Sequence, residues 1–249
     1  MTERKHGRAP RRAAVAAALA VSAVVLPLPT SPLTGTAEAA AAPAVFSPAA
    51  ASDQLRHGDS GAEVKKVQER LIELGYWIDS ADGHFGTVTV QAVHALQKAA
   101  GIDRDGIVGP DTRKALDEGV RPSAKSSSGE VVEIDLERQL LLVVADGEVE
   151  QAFSTSTGSG ETYEQDGEEH VATTPTGEYT VFREVDAWDP GPLGALYKPK
   201  YFNGGIAVHG YTSVPAHPAS HGCARVSLPA MDWLWKSGRL DVHDTVLVY

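Results

Sequence analysis

The chain holds a single cysteine, Cys223, in the run Ser220-His221-Gly222-Cys223-Ala224-Arg225. Fourteen residues earlier, His209-Gly210 closes the apolar run Gly205-Ile206-Ala207-Val208. A thiol attacks as its thiolate, and a neighbouring imidazole can take the proton or steady the charge. Gly222, directly before the sulfur, lets the backbone turn tightly and present consecutive N–H groups to a developing oxyanion. Two histidines compete for the role of base. His221 stands two residues from Cys223 and shares its face if that segment is extended. His209 sits on a separate strand, where it can face the sulfur more freely, and is the favoured base. A buried structural cysteine is the bland alternative, but an unpaired thiol is a liability in an oxidising compartment. One cysteine excludes an internal disulfide and a cysteine-rich zinc site. His57, His84 and His94 match no zinc spacing, so no metal and no cofactor are expected.

The elements that must carry these residues read as strands. Val131–Asp135, Leu140–Ala145 and Val149–Ser154 are β-branched, apolar runs, and Asp146-Gly147 joins the last two as a hairpin turn. Thr180–Val185, Gly205–Val208 and Thr245–Val248 add three more, and one helix is expected from Pro229 to Lys236. Trp188, Tyr197, Tyr201 and Phe202, mixed with prolines and glycines, read as a lid or substrate loop just before His209. Trp233 and Trp235 read as packing residues. The acidic stretch Glu161–Glu169 reads as a solvated surface excursion.

Ahead of this region the periodicity is helical. Val64, Val67, Leu71 and Leu74 give one apolar face to a helix over Ala62–Leu74, capped by Asp59 or Ser60 and stopped by Gly75. Thr89–Ala99 and Pro110–Leu116 supply two more helices. Asp82-Gly83-His84-Phe85-Gly86 with Thr89 and Ala92 recurs as Asp105-Gly106-Ile107-Val108-Gly109 with Thr112 and Ala115, offset by 23 residues throughout. The stretch Asp117–Gly129 is polar and serine-rich and reads as a linker that leaves the two domains some freedom. The expected fold class is multidomain: a small all-α three-helix domain, then a mainly antiparallel β-sandwich or open barrel with little helix.

The N-terminus reads as an address. Arg4, Lys5, Arg8, Arg11 and Arg12 precede an apolar run from Ala13 to Leu26, and Ala37-Glu38-Ala39 suits a signal peptidase. Cleavage there makes 1–39 a signal peptide, 40–52 an Ala/Pro-rich lead-in, 53–118 the helical domain, 119–129 the linker and 130–249 the β domain. The full chain carries a net charge of −11. Loss of 1–39 removes five Lys/Arg and two Asp/Glu and leaves −14. That balance argues against nucleic acid as partner. No membrane span is expected in the mature protein. The expected localisation is secreted.

Leu55–Leu116, with Leu55-Arg56-His57-Gly58, Gln68, Leu74-Gly75-Tyr76 and both DGxxG segments, resembles the three-helix peptidoglycan-binding domain. Val131–Tyr249 resembles the L,D-transpeptidase catalytic domain, the YkuD-like family. The residues that carry this are Thr174-Pro175-Thr176-Gly177-Glu178-Tyr179, Ile206-Ala207-Val208-His209-Gly210 and the Ser220–Arg225 run. The resemblance implies Cys223 as nucleophile, His209 as base oriented by the Gly210 carbonyl, and an oxyanion site from the Gly222 and Cys223 N–H groups. His221 remains the rival base. Arg225 either pairs a substrate carboxylate or braces the loop, with bracing favoured; Tyr201 and Tyr211 join it as candidate substrate contacts. The implied partners are peptidoglycan stem peptides and glycan, with carbapenems as covalent inhibitors. The implied reaction is a 3→3 cross-link made with release of D-alanine, a step of cell-wall biogenesis that bears on cell shape. Water as acceptor would make the enzyme an L,D-carboxypeptidase, and a sortase-like cysteine transpeptidase is the further alternative.

Overall fold

The computed structural model describes residues 54–249, so the signal-peptide and lead-in assignments lie outside the described residues. Three helices open it: α1 (Ala62–Glu73), α2 (Thr87–Ala100) and α3 (Pro110–Asp117). Their buried faces follow the apolar spacing, with Val64, Val67 and Leu71 on α1, Val93 and Leu96 on α2, and Leu116 on α3. The expected cap of α1 is not formed. Gly61 is its N-cap, and no side-chain cap hydrogen bond is made there. Asp59 instead accepts the Arg56 N–H at 2.8 Å, and Ser60 Oγ pairs with His84 Nδ1 at 2.9 Å. Both candidate caps are thus occupied in the turn before the helix.

The repeated turns have a common physical basis. Gln68 Nε2 donates to Asp82 Oδ1, the His84 carbonyl and Thr89 Oγ1, while its Oε1 accepts the Gly83 N–H. Gln97 makes the same set with Asp105, the Ile107 carbonyl, Thr112 and the Gly106 N–H. Each buried amide satisfies the turn that feeds the next helix, so a polar side chain belongs in this core. The DGxxG spacing exposes the turn in the sequence; the glutamine that closes it comes from the preceding helix.

The β region runs β1 (Glu130–Asp135), β2 (Leu140–Ala145), β3 (Glu148–Ser154), β4 (Thr162–Gln165), β5 (Glu168–Val171), β6 (Gly177–Thr180) and β7 (Arg183–Glu184). It continues with β8 (Trp188–Gly191), β9 (Gly194–Asn203), β10 (Ile206–Tyr211), β11 (Ala224–Ser227), α4 (Leu228–Ser237) and β12 (Thr245–Val248). One sheet has the order β3-β2-β1-β12-β6, the other β11-β10-β9-β7 with β8 on β9, and β4 pairs only with β5. All pairs are antiparallel except β1–β12 and β10–β11. The expected strand Thr180–Val185 is divided: β6 ends in the first sheet and β7 begins in the second. Val181 bonds to the Asp244 carbonyl and Phe182 to the Tyr201 carbonyl, so the chain changes sheets there. α4 starts one residue before Pro229, and Ser227 Oγ caps it by accepting the Ala230 N–H.

Strand β2 shows how the layers stack. Its run Leu140–Val144 is buried throughout. Side chains alternate across a strand, so Leu140, Leu142 and Val144 join the helices, with Val149 and Ala152 from β3. Leu141 and Val143 join the second sheet and α4, with Val208, Val226, Met231 and Leu234. The first sheet is therefore a middle layer with a core on each side. The segment expected as a free linker is strapped down. Tyr76 Oη donates to the Val120 carbonyl, Arg121 to the Val149 carbonyl, and the Glu133 carboxylate accepts the Lys125 and Ser126 N–H groups. The freedom expected of this segment is not found, because the helices cover an apolar sheet face that would otherwise meet water.

Candidate active site

The parallel pairing of β10 with β11 sets Val208 beside Ala224 and His209 beside Arg225. One step back, Cys223 lies level with Ala207, whose N–H reaches Sγ at 3.4 Å. The thiol itself points to the Gly205 carbonyl at 3.8 Å. Alternation along paired strands then directs Ala207, His209, Tyr211, Cys223 and Arg225 to one side. There a cavity of about 630 Å³ is lined by His209, Tyr211, Cys223, Arg225 and Tyr201. Two residues separated by fourteen positions in sequence thus share one pocket because their strands are neighbours.

His209 is 2% exposed. Its Nδ1 lies 2.9 Å from the Gly210 carbonyl. A carbonyl oxygen only accepts, so Nδ1 carries the proton and Nε2 keeps a free lone pair. Burial holds the imidazole pKa down at about 4; the Gly210 carbonyl opposes this and Arg225 adds to it. Burial pushes the Cys223 thiol above its ordinary range, partly opposed by the Ala207 N–H and by Arg225. The resting pair is therefore neutral thiol and neutral imidazole. Gly210 leaves no room for a side chain, since a Cβ would stand 2.7 Å from the Tyr197 ring.

The loop before Cys223 is held by its own polar groups. Ser220 Oγ donates to the Cys223 carbonyl at 2.6 Å and accepts the Gly222 N–H at 3.0 Å. The Gly222 N–H, expected to face an oxyanion, is thereby engaged within the loop; no hydrogen bond among the described residues takes up the Cys223 N–H. Gly222 has φ +144°, and a Cβ there would lie 2.9 Å from the Thr173 carbonyl. Only glycine meets both conditions. Thr174 Oγ1 donates to the Gly222 carbonyl at 2.5 Å and accepts the Gly158 N–H at 2.9 Å, which ties the Thr174–Tyr179 segment to the loop.

The remaining expected residues divide. His221 is exposed and also lines the cavity, with its ring centre 4.7 Å from that of Tyr163 in an edge-to-face contact. Arg225 donates to the Ala219 carbonyl at 3.1 Å and lies 4.4 Å from the centre of the Tyr211 ring, while its Nε is buried without a partner. It braces the loop from inside the pocket. Tyr201 Oη donates to Asp189 Oδ2 at 2.8 Å, and Arg183 holds the same oxygen at 2.7 Å.

Two hairpins wall the cavity. The β8–β9 pair, with Pro192 and Leu193 at its tip, fills the place expected of a lid. The second is β4–β5, through Tyr163, Gln165, His170 and Val171. The stretch Glu161–Glu169 is mostly exposed, as a surface excursion should be, but it is a paired hairpin whose Tyr163 and Gln165 line the cavity. The missed signal was Asp166-Gly167, the same dipeptide as Asp146-Gly147, with φ +55° and +83°.

Two family models match the chain. Residues 60–116 match the model of the peptidoglycan binding domain, and residues 129–248 match the model of the L,D-transpeptidase catalytic domain. The N-acetylmuramoyl-L-alanine amidase CwlL of Bacillus licheniformis is 50% identical over 78 residues, which are 30% of this chain and 22% of that protein. The chain spans about a fifth of the length of the first curated relatives it matches. The crystal structure of an L,D-transpeptidase from Xylanimonas cellulosilytica is 52% identical, superposes with a TM-score of 0.76, and covers 78% of this chain and 97% of that one. At that identity and coverage, the chain belongs to the L,D-transpeptidase family.

Proposed function

We propose that this chain is an exported cell-wall enzyme that cross-links peptidoglycan by cysteine acyl transfer. The observation that carries this is the opening of Cys223 and His209 from adjacent parallel strands into one cavity. His209 Nε2 takes the thiol proton as Sγ bonds to the carbonyl carbon of the third stem residue. The negative charge on the carbonyl oxygen is met by the Cys223 N–H. The C–N bond to the terminal D-alanine then breaks, and the leaving amine receives the proton from His209. A side-chain amine of a second stem attacks the thioester and gives its proton to His209. The C–S bond breaks as the new amide forms, and Sγ takes the proton back from His209. From a neutral resting pair, the thiol proton passes to His209 before or during attack.

His209 fits the base better than His221, whose ring is turned to the β4–β5 wall. Arg225, Tyr201 and Tyr211 are among the residues that line the cavity and are the candidate contacts for the stem. Residues 53–118 serve as the wall-binding module, with glycan or peptide as ligand, and 1–39 as the export signal.

The test is mass spectrometry of the mature protein incubated with a disaccharide-tetrapeptide, beside the Cys223→Ala variant. Loss of D-alanine with a cross-linked dimer, absent in the variant, is expected. A carbapenem should add once to the wild type and not to Cys223→Ala. D-alanine loss without a dimer would replace cross-linking by carboxypeptidase action. An untouched tetrapeptide with wall binding retained would overturn the assignment.

A further inference from the structure

Lys98 is fully buried on α2, where a charged side chain is costly. Its Nζ donates to the Gln139 carbonyl at 3.0 Å, Ser154 Oγ at 2.8 Å and the Thr155 carbonyl at 2.8 Å. Burial, with Arg104 nearby, lowers its pKa to about 7. The lysine belongs to the helical domain, and all three acceptors belong to the β domain.

An amine beside a serine hydroxyl is also the pairing of a serine nucleophile with its base. Here no substrate can reach it. Ser154 is 4% exposed, and the cavity beside it, lined by Trp77, Gln91 and Phe153, holds only about 10 Å³, the room of one water molecule.

What the amine does reach is the backbone that supports Cys223. The Gln139 carbonyl also accepts the Thr155 N–H, and the Gln139 side chain brackets Thr157 through Nε2 at 2.7 Å and Oε1 at 2.9 Å. Thr155 Oγ1 donates to the Arg225 carbonyl at 2.8 Å. Ser156 and Arg225 exchange both backbone hydrogen bonds, and the Thr157 carbonyl accepts the Ala219 and Ser220 N–H groups. Residues 155–159 are therefore a shelf on which the Ala219–Arg225 loop hangs. The helical domain also grips the segment joining His209 to Cys223: Gln91 Nε2 donates to the Val214 carbonyl at 2.9 Å and Arg104 to the Ala216 carbonyl at 3.4 Å.

We propose that Lys98 is a positioning residue for the acyl transfer, fixing through the 155–159 shelf where Cys223 stands relative to His209. The helical domain is then part of the catalytic unit as well as a wall anchor. This rests on the assignment of Cys223 and His209 made above.

The test compares full-length Lys98→Met and Thr155→Val with wild type. Thr155→Val keeps the carbonyl that Lys98 uses and removes only the hydroxyl that holds the Arg225 carbonyl. Both variants are expected to lose on the order of tenfold to a hundredfold in kcat, with KM for the tetrapeptide within about twofold. Alkylation of Cys223 by iodoacetamide should slow in parallel, with binding to purified wall unchanged. If Lys98→Met fails to fold, Thr155→Val decides. A folded Thr155→Val with wild-type kcat and alkylation rate, or a change confined to KM, overturns the proposal. If the wild type turns over no tetrapeptide, the enzyme assignment has failed instead; the alkylation rates, which need no substrate, still decide the role of Lys98.

Discussion

Burial pushes Cys223 and His209 in opposite directions and leaves both neutral, and the same physics acts on His94. That ring sits on α2 with Nδ1 buried and unpartnered, and burial lowers its pKa to about 4, as it does for His209. In the unfolded chain both histidines titrate near their ordinary value of about 6.5. Between these values the unfolded state binds protons that the folded state refuses, so stability is present above about pH 6.5 and is lost as pH falls toward 4. Each such proton contributes a slope of at most about 1.4 kcal/mol per pH unit. The urea midpoint should fall as pH drops from 7 to 4.5, and His94→Gln should flatten that fall by about half. A fall as steep in the variant as in the wild type would show that His94 does not act this way. The proposed choice of base is also argued at this scale. His209 and His221 are equally histidine in the sequence, and only the Gly210 carbonyl beside one and the Tyr163 ring against the other separate them.

Among the elements, most strands that surround the site announce themselves by alternation or by an Asp-Gly turn, and the hairpin β4–β5 should have done so. Its strands pair only with each other, and the chain closes beneath them by the Gly160 N–H to the Ala172 carbonyl and the Ala172 N–H to the Glu161 carbonyl. A hairpin attached in this way adds wall to the cavity and little to the core. Replacing Thr162–Val171 by two glycines should therefore leave the melting temperature within a few degrees of wild type. The KM for tetrapeptide should rise several-fold. Steady-state kinetics and thermal melts on one preparation check both halves, and unchanged KM would remove the hairpin from the substrate site. The short strand β11 illustrates a different difficulty. Ala224-Arg225-Val226-Ser227 has no distinguishing composition, and its partner β10 is parallel, so no turn between them marks the pairing.

For the whole molecule, the decisive feature is the middle sheet with a core on each face. Leu140, Leu142, Val144, Val149 and Ala152 are covered by the helical domain, and each buried Leu or Val contributes roughly 1.5–3 kcal/mol. Residues 130–249 produced alone should therefore aggregate or bind the dye ANS, while the chain from residue 53 onward stays monodisperse; a well-folded, soluble 130–249 would contradict the shared core. The sequence by itself determined the candidates for the chemistry and the local elements: one cysteine next to Gly222, His209 at a strand end, the duplicated turns and the helical stripe. These follow from residue type and from periods of two and 3.6, which are local properties. It read Asp117–Gly129 as a tether because polar, serine-rich composition tells how a segment behaves alone. Tertiary structure decided what required distant partners. It made Leu140–Val144 a two-faced strand, tied the linker to Glu133, engaged the Gly222 N–H with Ser220, and buried Lys98 against Gln139, Ser154 and Thr155. A lysine in a helix looks solvated in sequence, and only the sheet that packs over it supplies the acceptors that make it part of the active-site scaffold.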